Sequence, residues 1–367
     1  MTVMDHVVSY VLDLPPYRPG RPIASVAREF RLEPTAIVKL ASNENPFGMA
    51  FAAKSRLQML KDDAGRYPDS DSHELRSALA TALHVDRARI LPAAGSSELI
   101  SLAARAVLLP GRNAVLSQYA FISYAAAVRA VGATSIVVPA AAYGHDLAAM
   151  QAAVGPQTRL VFIASPNNPT GTHTSPAALE SFLGAIPDNV LVILDEAYRD
   201  YLCPEFQPAV GPLLDRHPNL LVLRTFSKVY GLAGLRVGYG MGDPALLDVL
   251  RRLQAPFSVS TLAQGAALAA LGDTEFVRMS VAANAMERAR LGAALDLMQV
   301  EHLPSQGNFL LLRVGDGEAA CRALLRKGII VRPVTGYGLP EWIRVTVGLA
   351  PENTRFLDAL KTVLSRE

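Results

Sequence analysis

The strongest constraint on the fold is an alternation of short apolar runs with longer stretches of helical spacing, which begins near residue 75. Aliphatic and β-branched residues concentrate in seven runs, at 90–91, 114–116, 135–138, 159–163, 190–194, 220–223 and 237–241. Stretches such as 97–108 and 176–183 lie between them, with apolar residues at helical spacing. This alternation predicts a largely parallel sheet covered by helices on both faces, with functional side chains at the strand ends.

The rest of the chain indicates a second, smaller domain. An Ala/Leu-rich stretch at 261–298 predicts helices, and beyond it lie candidate strands at 308–314, 329–331 and 342–347 and candidate helices at 318–327 and 352–365. The first 45 residues are irregular in composition rather than typical of a packed helix, because they carry Pro15, Pro16, Pro19, Gly20 and Pro22. We therefore expect an N-terminal arm (1–45) that joins the small domain, a large domain (46–260) and a small C-terminal domain (261–367).

Composition excludes several classes of protein. With 50% hydrophobic and 19% charged residues the chain is globular, and a net charge of +2 without a basic run argues against nucleic-acid or membrane partners. The N-terminus lacks the pattern of a secretory signal, and no apolar stretch reaches the length of a spanning helix. Cys203 and Cys321 have no CxxC or histidine companion, so neither a disulfide framework nor a metal site is expected. A cytoplasmic protein is the default expectation.

The most informative segment, residues 224–239, follows an apolar run and centres on Lys228. Ser227 precedes the lysine, and glycines and Arg236 follow it. A lysine that forms a Schiff base with an aldehyde needs neighbouring phosphate-binding residues if the aldehyde carries a phosphate. A hydroxyl and a guanidinium bind that anion, and glycines let the backbone approach it. Taken alone, the segment could also be a solvated loop after a strand.

Two further segments end predicted strands with polar residues. Residues 165–171 read SPNNPTG, which is also the composition of an ordinary turn. Residues 190–198 carry Asp195 and, three positions later, Tyr198, an acid and a phenol that could bind a protonated pyridine nitrogen and a ring oxygen. Asp195 alone could equally be a capping acid or resemble a Walker B acid. No GxxxxGK[ST] or GxGxxG string supports a nucleotide site.

Together these segments resemble the fold-type I aminotransferases that use pyridoxal 5′-phosphate (PLP), in the class I/II branch, and specifically the histidinol-phosphate aminotransferase family. Nine short motifs occur in the family's order, at 40–48 (LASNENPFG), 66–69, 95–98, 121–124, 165–171, 195–198, 225–239, 308–309 and 342–348 (WIRVTVG). The resemblance implies an α/β fold in which a mostly parallel seven-stranded sheet lies between helices, with a small α+β C-terminal domain.

The resemblance also implies cofactor-binding roles. Lys228 would be the catalytic lysine that holds PLP as a Schiff base, and Asp195 would bind the pyridine nitrogen. Asn168 and Tyr198 would bond the ring oxygen, and Phe121 would stack on the ring unless it is a plain core aromatic. The phosphate would be bound by Ser96, Ser97, Ser227 and Arg236. Tyr67 would reach the phosphate from a neighbouring subunit, so a homodimer with shared sites is implied.

The substrate roles follow from the same resemblance. Arg344 would grip the α-carboxylate of an amino acid, since a planar guanidinium makes two parallel bonds to carboxylate or phosphate. Arg332 would hold the phosphate of histidinol phosphate, unless it is a solvated arginine at a strand end. Asn43 is expected to contact substrate as well.

The implied reaction is transfer of the amino group from L-histidinol phosphate to 2-oxoglutarate, giving imidazole acetol phosphate and L-glutamate for histidine biosynthesis. The sequence departs from the family pattern near the substrate mouth, at Met49, Ser97 and the Tyr119-Ala pair before Phe121. An aromatic amino-acid aminotransferase, acting on phenylalanine or tyrosine, therefore stays open as an alternative. A decarboxylase of threonine phosphate and a catalytically inactive binding protein are more distant alternatives.

Overall fold

The computed structural model describes residues 2–12, 14, 16 and 20–365, so Pro15 and Pro19 of the irregular segment lie outside the described residues. The helices are α1 (Ser9–Leu12), α2 (Ile23–Phe30), α3 (Phe51–Leu60), α4 (His73–Leu83), α5 (Ser96–Val107), α6 (Ile122–Arg129), α7 (Leu147–Ala152), α8 (Pro176–Ala185), α9 (Val210–Arg216), α10 (Pro244–Leu253), α11 (Thr261–Gly272), α12 (Thr274–Leu297), α13 (Gly317–Arg326) and α14 (Ala350–Leu364). The strands are β1 (Val38–Lys39), β2 (Ile90–Ala93), β3 (Asn113–Ser117), β4 (Thr134–Val138), β5 (Thr158–Ala164), β6 (Leu191–Asp195), β7 (Leu220–Thr225), β8 (Gly238–Met241), β9 (Phe309–Arg313), β10 (Ile329–Ile330), β11 (Arg332–Pro333) and β12 (Trp342–Thr346).

The large sheet has seven strands in the order β2-β8-β7-β6-β5-β3-β4. Its neighbours from β7 to β4 pair in parallel, and only β8 runs antiparallel to β2 and β7. The seven apolar runs of the sequence are these strands, and the prediction of a mostly parallel sheet is confirmed.

Helices cover both faces of this sheet, as a parallel sheet requires. Along β6, Val192 and Leu194 belong to one buried cluster, whereas Leu191 and Ile193 belong to the cluster on the opposite face. Residues of α4, α8, α9 and α11 complete the first cluster, and residues of α5, α6 and α10 complete the second. Nearly all side chains of the central strands β5, β6 and β7 are buried on one face or the other, so these strands read as continuous apolar runs rather than alternating ones. The edge strand β4 is covered only in part, and Val137 on it is 53% exposed.

A second unit combines both ends of the chain. Strands β11, β12 and β9 form an antiparallel sheet, and β10 pairs in parallel with β1 from the N-terminal segment. Val38 and Leu40 are buried with residues of α12, β9, α13, β12 and α14. This pairing supports an N-terminal arm that completes the small domain, while the boundaries at residues 45 and 260 stay a prediction.

The expectation that the first 45 residues lack a packed helix is wrong for α2. Its apolar residues Ile23, Val26, Ala27 and Phe30 recur at helical spacing, and they pack in one cluster with Ile330. Pro22 does not prevent this helix, because it occupies the N-cap, where the missing N–H costs no intrahelical bond.

Cys203 and Cys321 are both free thiols in the structure, and Cys321 is buried. Among the residues that the structure describes, no helix combines the length and the apolar composition that crossing a membrane would require.

Candidate active site

The strand ends of the large sheet meet the small antiparallel sheet at a cavity of about 420 Å³. Asn168 follows β5, Asp195 ends β6 and Lys228 follows β7, so three neighbouring parallel strands deliver side chains to one edge. The predicted site residues that line the cavity are Ser96, Ser97, Phe121, Asn168, Asp195, Tyr198, Ser227, Lys228, Arg236, Arg332 and Arg344.

Lys228 supplies an amine to the cavity wall. Its Nζ donates to the backbone oxygen of Ser42 at 3.2 Å and lies 5.3 Å from the centre of the Tyr198 ring. The lysine follows β7 by only three residues, because Thr225 ends that strand. The position of the amine is therefore fixed by the end of a rigid strand. From there it reaches the Ser42 carbonyl of the N-terminal segment.

Asp195 places a carboxylate at the floor of the same cavity. Its Oδ2 accepts a hydrogen bond from the Tyr124 hydroxyl at 2.7 Å, and its Oδ1 accepts from the Ala197 N–H at 3.0 Å. Burial raises the pKa of this carboxyl, while the bonds from Tyr124 and Ala197 and the charge of Lys228 oppose that rise. The site therefore holds a carboxylate of increased basicity, which suits a partner that carries a proton.

Tyr124 is a functional residue to which the sequence analysis assigned no role. Its ring stacks on Phe162 with centroids 4.5 Å apart and meets Phe121 edge-on at 5.7 Å. Phe121 and Tyr124 are three positions apart at the start of α6, and residues with that spacing share one face of a helix. The sequence could therefore have indicated that Tyr124 lies near Phe121. Burial raises the pKa of the Tyr124 phenol, so the group stays protonated and donates to Asp195.

Tyr198 lies on the side of the cavity nearest the small domain. Its hydroxyl receives a hydrogen bond from the Asn43 side-chain amide at 2.9 Å, and its ring meets Phe309 edge-on at 5.1 Å. Burial is the main cause of its raised pKa. The phenol is therefore a fixed, protonated hydrogen-bonding group next to Lys228.

One end of the cavity is suited to an anion. Helix α5 begins at Ser96, so its first N–H groups and its partial positive charge face the cavity there. Arg236 Nη1 donates to Ser227 Oγ at 3.4 Å and to the Ala233 carbonyl at 3.2 Å. Gly95 is required beside them, because its φ is +84° and a Cβ would lie 2.6 Å from Arg236 Nη2.

The opposite end holds two arginines on neighbouring strands. Arg332 of β11 and Arg344 of β12 are directly paired in the antiparallel register, and both line the cavity. Arg344 donates to Asn168 Oδ1 at 2.5 Å and to the Ala41 carbonyl at 2.8 Å, and its guanidinium lies 5.5 Å from the Phe309 ring centre. Its buried Nε has no hydrogen-bond partner among the described residues, which leaves a donor for an incoming anion.

Two predicted site residues do not line this cavity. Tyr67 is 82% exposed and stacks on Phe257, with ring centroids 4.6 Å apart. Asn43 is fully buried behind Tyr198, where its side chain bonds Tyr198 and Thr346. The structure therefore does not bring the Asn43 side chain to the cavity wall, where a substrate would bind.

The remaining chemistry of the cavity is that of an amine, a carboxylate and two anion-binding ends. In the described part of the chain, no group of three or more histidine, cysteine or acidic side chains could hold a metal ion. Tyr337, which the sequence analysis did not single out, also lines the cavity from the segment between Arg332 and Arg344. Such a site can bind a ligand with an anionic group at each end and move protons between them.

The chain is similar in sequence to proteins that are already known. The sequence pattern of the aminotransferase class I and II family matches residues 35–360. The chain is 50% identical to histidinol-phosphate aminotransferase 2 of Ralstonia nicotianae, over 97% of this chain and 96% of that protein. It is also 50% identical to histidinol-phosphate aminotransferase 1 of Cupriavidus pinatubonensis, with the same coverage.

Solved structures agree with these relatives. The histidinol-phosphate aminotransferase of Sinorhizobium meliloti, in complex with pyridoxal-5′-phosphate, superposes with a TM-score of 0.90 at 28% identity, over 98% of this chain and 97% of that one. The aspartate aminotransferase of Thermus thermophilus with maleate has a TM-score of 0.83 at 22% identity, over 97% of this chain and 99% of that one, and shows the shared fold.

Proposed function

The chain belongs to the class I and II aminotransferases, within the histidinol-phosphate aminotransferase family, and on that basis we propose that it transfers the amino group of L-histidinol phosphate to 2-oxoglutarate. It is a fold-type I transaminase whose cofactor is PLP. The observation that carries the proposal is the cavity itself, in which Lys228 and Asp195 lie between the Ser96 helix end and the paired arginines Arg332 and Arg344.

The residues of the cavity fit this cofactor. Ser96, Ser97, Ser227 and Arg236 would hold its phosphate, where Gly95 leaves the space that a Cβ would fill. Asp195 would hold the ring nitrogen, Asn168 and Tyr198 the ring oxygen, and Phe121 one face of the ring. Lys228 would be the point of covalent attachment. The carboxylate of raised pKa suits the protonated nitrogen, because a more basic acceptor makes a stronger bond to that proton.

The chain's own groups then divide the work of transamination. When bound, PLP supplies a ring that takes up the electron pair released at the substrate α-carbon. Asp195 holds a proton at the ring nitrogen, and the two donors to its oxygens keep its plane fixed. Lys228 accepts and returns a proton at Nζ, which lies on the cavity wall. Arg344 and Arg332 orient the substrate through its anionic groups.

The substrate part of the proposal has a direct spectroscopic test. Purified protein loaded with PLP is mixed separately with L-histidinol phosphate, L-phenylalanine, L-tyrosine or L-glutamate, and loss of the cofactor's yellow absorbance is followed. We expect histidinol phosphate to react far faster than phenylalanine. The reverse order would make the protein an aromatic aminotransferase. In a separate incubation with threonine phosphate, release of carbon dioxide would make it a decarboxylase.

We further propose a homodimer in which Tyr67 reaches the phosphate end of the partner's cavity. Tyr67, Phe51 and Met59 have exposed fractions of 82%, 81% and 72%. The Tyr67 ring stacks on Phe257, which is itself 42% exposed, and adjoining exposed apolar side chains of this kind mark a surface that another chain can cover. Tyr67 lines no part of the cavity of its own chain. A cytoplasmic location remains a prediction from the sequence.

Mixed dimers test the shared site. Lys228→Ala and Tyr67→Ala variants are each purified, then unfolded and refolded together. Half of the sites in a mixed dimer would combine two intact residues, so the mixture should recover activity that neither variant has alone. A Lys228→Ala/Tyr67→Ala double variant, refolded with wild type at the same ratio, is the control. A mixture no more active than its components would contradict a shared site.

A further inference from the structure

We propose that Asn43 and Thr346 fix the direction of the hydrogen bond at Tyr198, so that the phenol oxygen accepts from Asn43 and its own proton points into the cavity. The proposal rests on the proposed function, in which Tyr198 bonds the cofactor's ring oxygen. It gives Asn43 a positioning role in place of the substrate contact expected from the sequence.

The three residues form a continuous buried chain of hydrogen bonds. The Asn43 backbone N–H donates to Thr346 Oγ1 at 2.9 Å, and that hydroxyl donates to Asn43 Oδ1 at 3.1 Å. Asn43 Nδ2 then donates to the Tyr198 hydroxyl oxygen at 2.9 Å. Asn43 is fully buried and Thr346 is almost completely buried, so water cannot replace the hydrogen bonds between them.

The direction of each bond follows from the first one. A backbone N–H can only donate, so it occupies a lone pair of the Thr346 hydroxyl and leaves that hydroxyl's proton for another acceptor. The amide oxygen of Asn43 is that acceptor. Its NH₂ group consequently faces Tyr198, and because an amide NH₂ can only donate, the phenol oxygen must accept.

The opposite orientation of the amide is disfavoured for the same reason. If Asn43 turned its NH₂ group toward Thr346, the Thr346 hydroxyl would face two donors and its buried proton would lose its acceptor. Tyr198 would then donate to Asn43 Oδ1 and present no proton to the cavity. The threonine hydroxyl thus selects between a Tyr198 that donates to a ligand and one that does not.

Further contacts fix the backbone conformation of Asn43. Asn43 has a left-handed φ of +54°, which asparagine tolerates better than most residues, and its carbonyl accepts from Asn308 Nδ2 at 3.0 Å. Thr346 ends β12, the strand that also carries Arg344. A residue of the small sheet therefore controls a contact made by Tyr198, which lies in the segment after β6.

The spectroscopic consequence has a definite sign. A hydrogen-bond donor stabilises the deprotonated form of the oxygen that accepts from it. If Tyr198 no longer donates to the cofactor's ring oxygen, the apparent pKa at which the bound cofactor's absorbance changes should therefore rise. The charged groups that act on the Tyr198 hydroxyl are Arg344 and Asp195, and the Lys228 amine lies 5.3 Å from its ring centre. The variants chosen below leave all three in place.

Thr346 offers a matched pair of variants, because valine keeps its shape without the hydroxyl and serine keeps the hydroxyl without the methyl. Holoenzymes carrying T346V, T346S, Y198F and T346V/Y198F are titrated with pH while the visible absorbance is recorded. We expect Y198F to raise the apparent pKa by about one pH unit and T346V by roughly half of that. T346S should stay within about 0.2 units of wild type, and T346V should add nothing to Y198F.

The outcomes separate the two levels of the proposal. A shift in Y198F together with a silent T346V overturns the role of Thr346 and Asn43 and leaves the proposed function intact. Equal shifts of the apparent pKa in T346V and T346S also overturn the role of Thr346 and Asn43, because the cause would then be packing. Shifts that add in the double variant overturn that role for the same reason. A wild-type protein without any yellow absorbance overturns the proposed function and this inference with it.

Discussion

The two ends of the cavity are built in different ways. The cofactor end, formed by Asp195, Lys228 and Ser227, comes from strands β6 and β7 of one parallel sheet. The substrate end, formed by Arg332 and Arg344, comes from the antiparallel sheet of the small unit and is braced by the carbonyl of Ala41 and by Asn168. The first end is a property of a single sheet, whereas the second depends on how three segments distant in sequence meet.

The two ends also differ in how far their polar groups are hydrogen-bonded within the protein. Both oxygens of Asp195 are already bonded within the protein, which keeps the carboxylate in one place before any ligand binds. Arg344 instead keeps a buried Nε without a partner among the described residues. The groups at the cofactor end are therefore preorganised at the sheet edge, while the substrate end keeps a hydrogen-bond donor that only a bound anion can satisfy.

The largest expected effect lies at the cofactor end. Replacing Lys228 with alanine removes the amine that moves the proton, so turnover should fall by more than about 10³-fold. Cofactor should still bind through the remaining contacts, and absorbance together with dialysis will show whether it does. An equivalent Lys361→Ala change, on the exposed face of α14, is the control. Retained transamination in the Lys228 variant would remove the basis of the assignment.

The next effect tests whether the charge of Asp195 or only its shape matters. Asn has nearly the same shape without the negative charge, so Asp195→Asn should lower kcat by about 10²- to 10³-fold. Asp195→Glu keeps the charge and should lose less. Steady-state kinetics under saturating cofactor give both values. If the Asn variant worked better than the Glu variant, geometry would outweigh electrostatics at this end.

The substrate end should respond through KM rather than kcat. Arg332→Ala removes the proposed phosphate ligand, so KM for histidinol phosphate should rise by about 10- to 100-fold while turnover of phenylalanine changes little. Arg332→Lys keeps the charge but loses the planar fork, and should fall between the two. Equal losses with both substrates would show that Arg332 supports the strand and does not recognise phosphate.

The same division explains what the sequence could predict. The apolar runs identify the strands because most strand positions are buried on one face of the sheet or the other, with edge strand β4 as the exception. Asp195 ends its strand, and Asn168 and Lys228 follow theirs closely. Parallel strand ends share one edge, so their side chains could be brought together without knowing how any helix packs. The position of Lys228 and Asp195 at one edge of the sheet could therefore be predicted from local pattern, whereas the cofactor role of Asn168 was implied only by the family resemblance.

Contacts between distant segments were not readable in this way. Tyr124 and Asp195 are 71 positions apart, and their bond depends on how α6 packs on the large sheet, where the Tyr124 ring stacks on Phe162 of β5. Asn43 and Thr346 are 303 positions apart, so nothing local indicates that the asparagine lies behind Tyr198. Helix α2 was missed because the prolines that precede it obscured its apolar spacing.

The smallest effect we predict concerns the residue that was missed, Tyr124. Phenylalanine in its place keeps the stacking on Phe162 but removes the donor to Asp195, whose pKa burial already raises. That pKa should rise further in the Tyr124→Phe variant. Because a raised carboxyl pKa favours the protonated folded state, the stability contributed by this group is present at low pH and is lost as pH rises through the folded pKa.

The free energy of unfolding of the cofactor-free Tyr124→Phe variant should therefore lie about 1–2 kcal/mol below that of the wild type at pH 7.5. The gap should narrow as the pH falls toward the ordinary aspartate pKa of 3.8, where a protonated Asp195 no longer needs the donor. Denaturant titrations at pH 7.5 and pH 5, at one protein concentration, measure both gaps. A gap of the same size at both pH values would mean that the tyrosine hydroxyl acts through packing alone, and that Ala197 suffices to hold the carboxylate at the cofactor end.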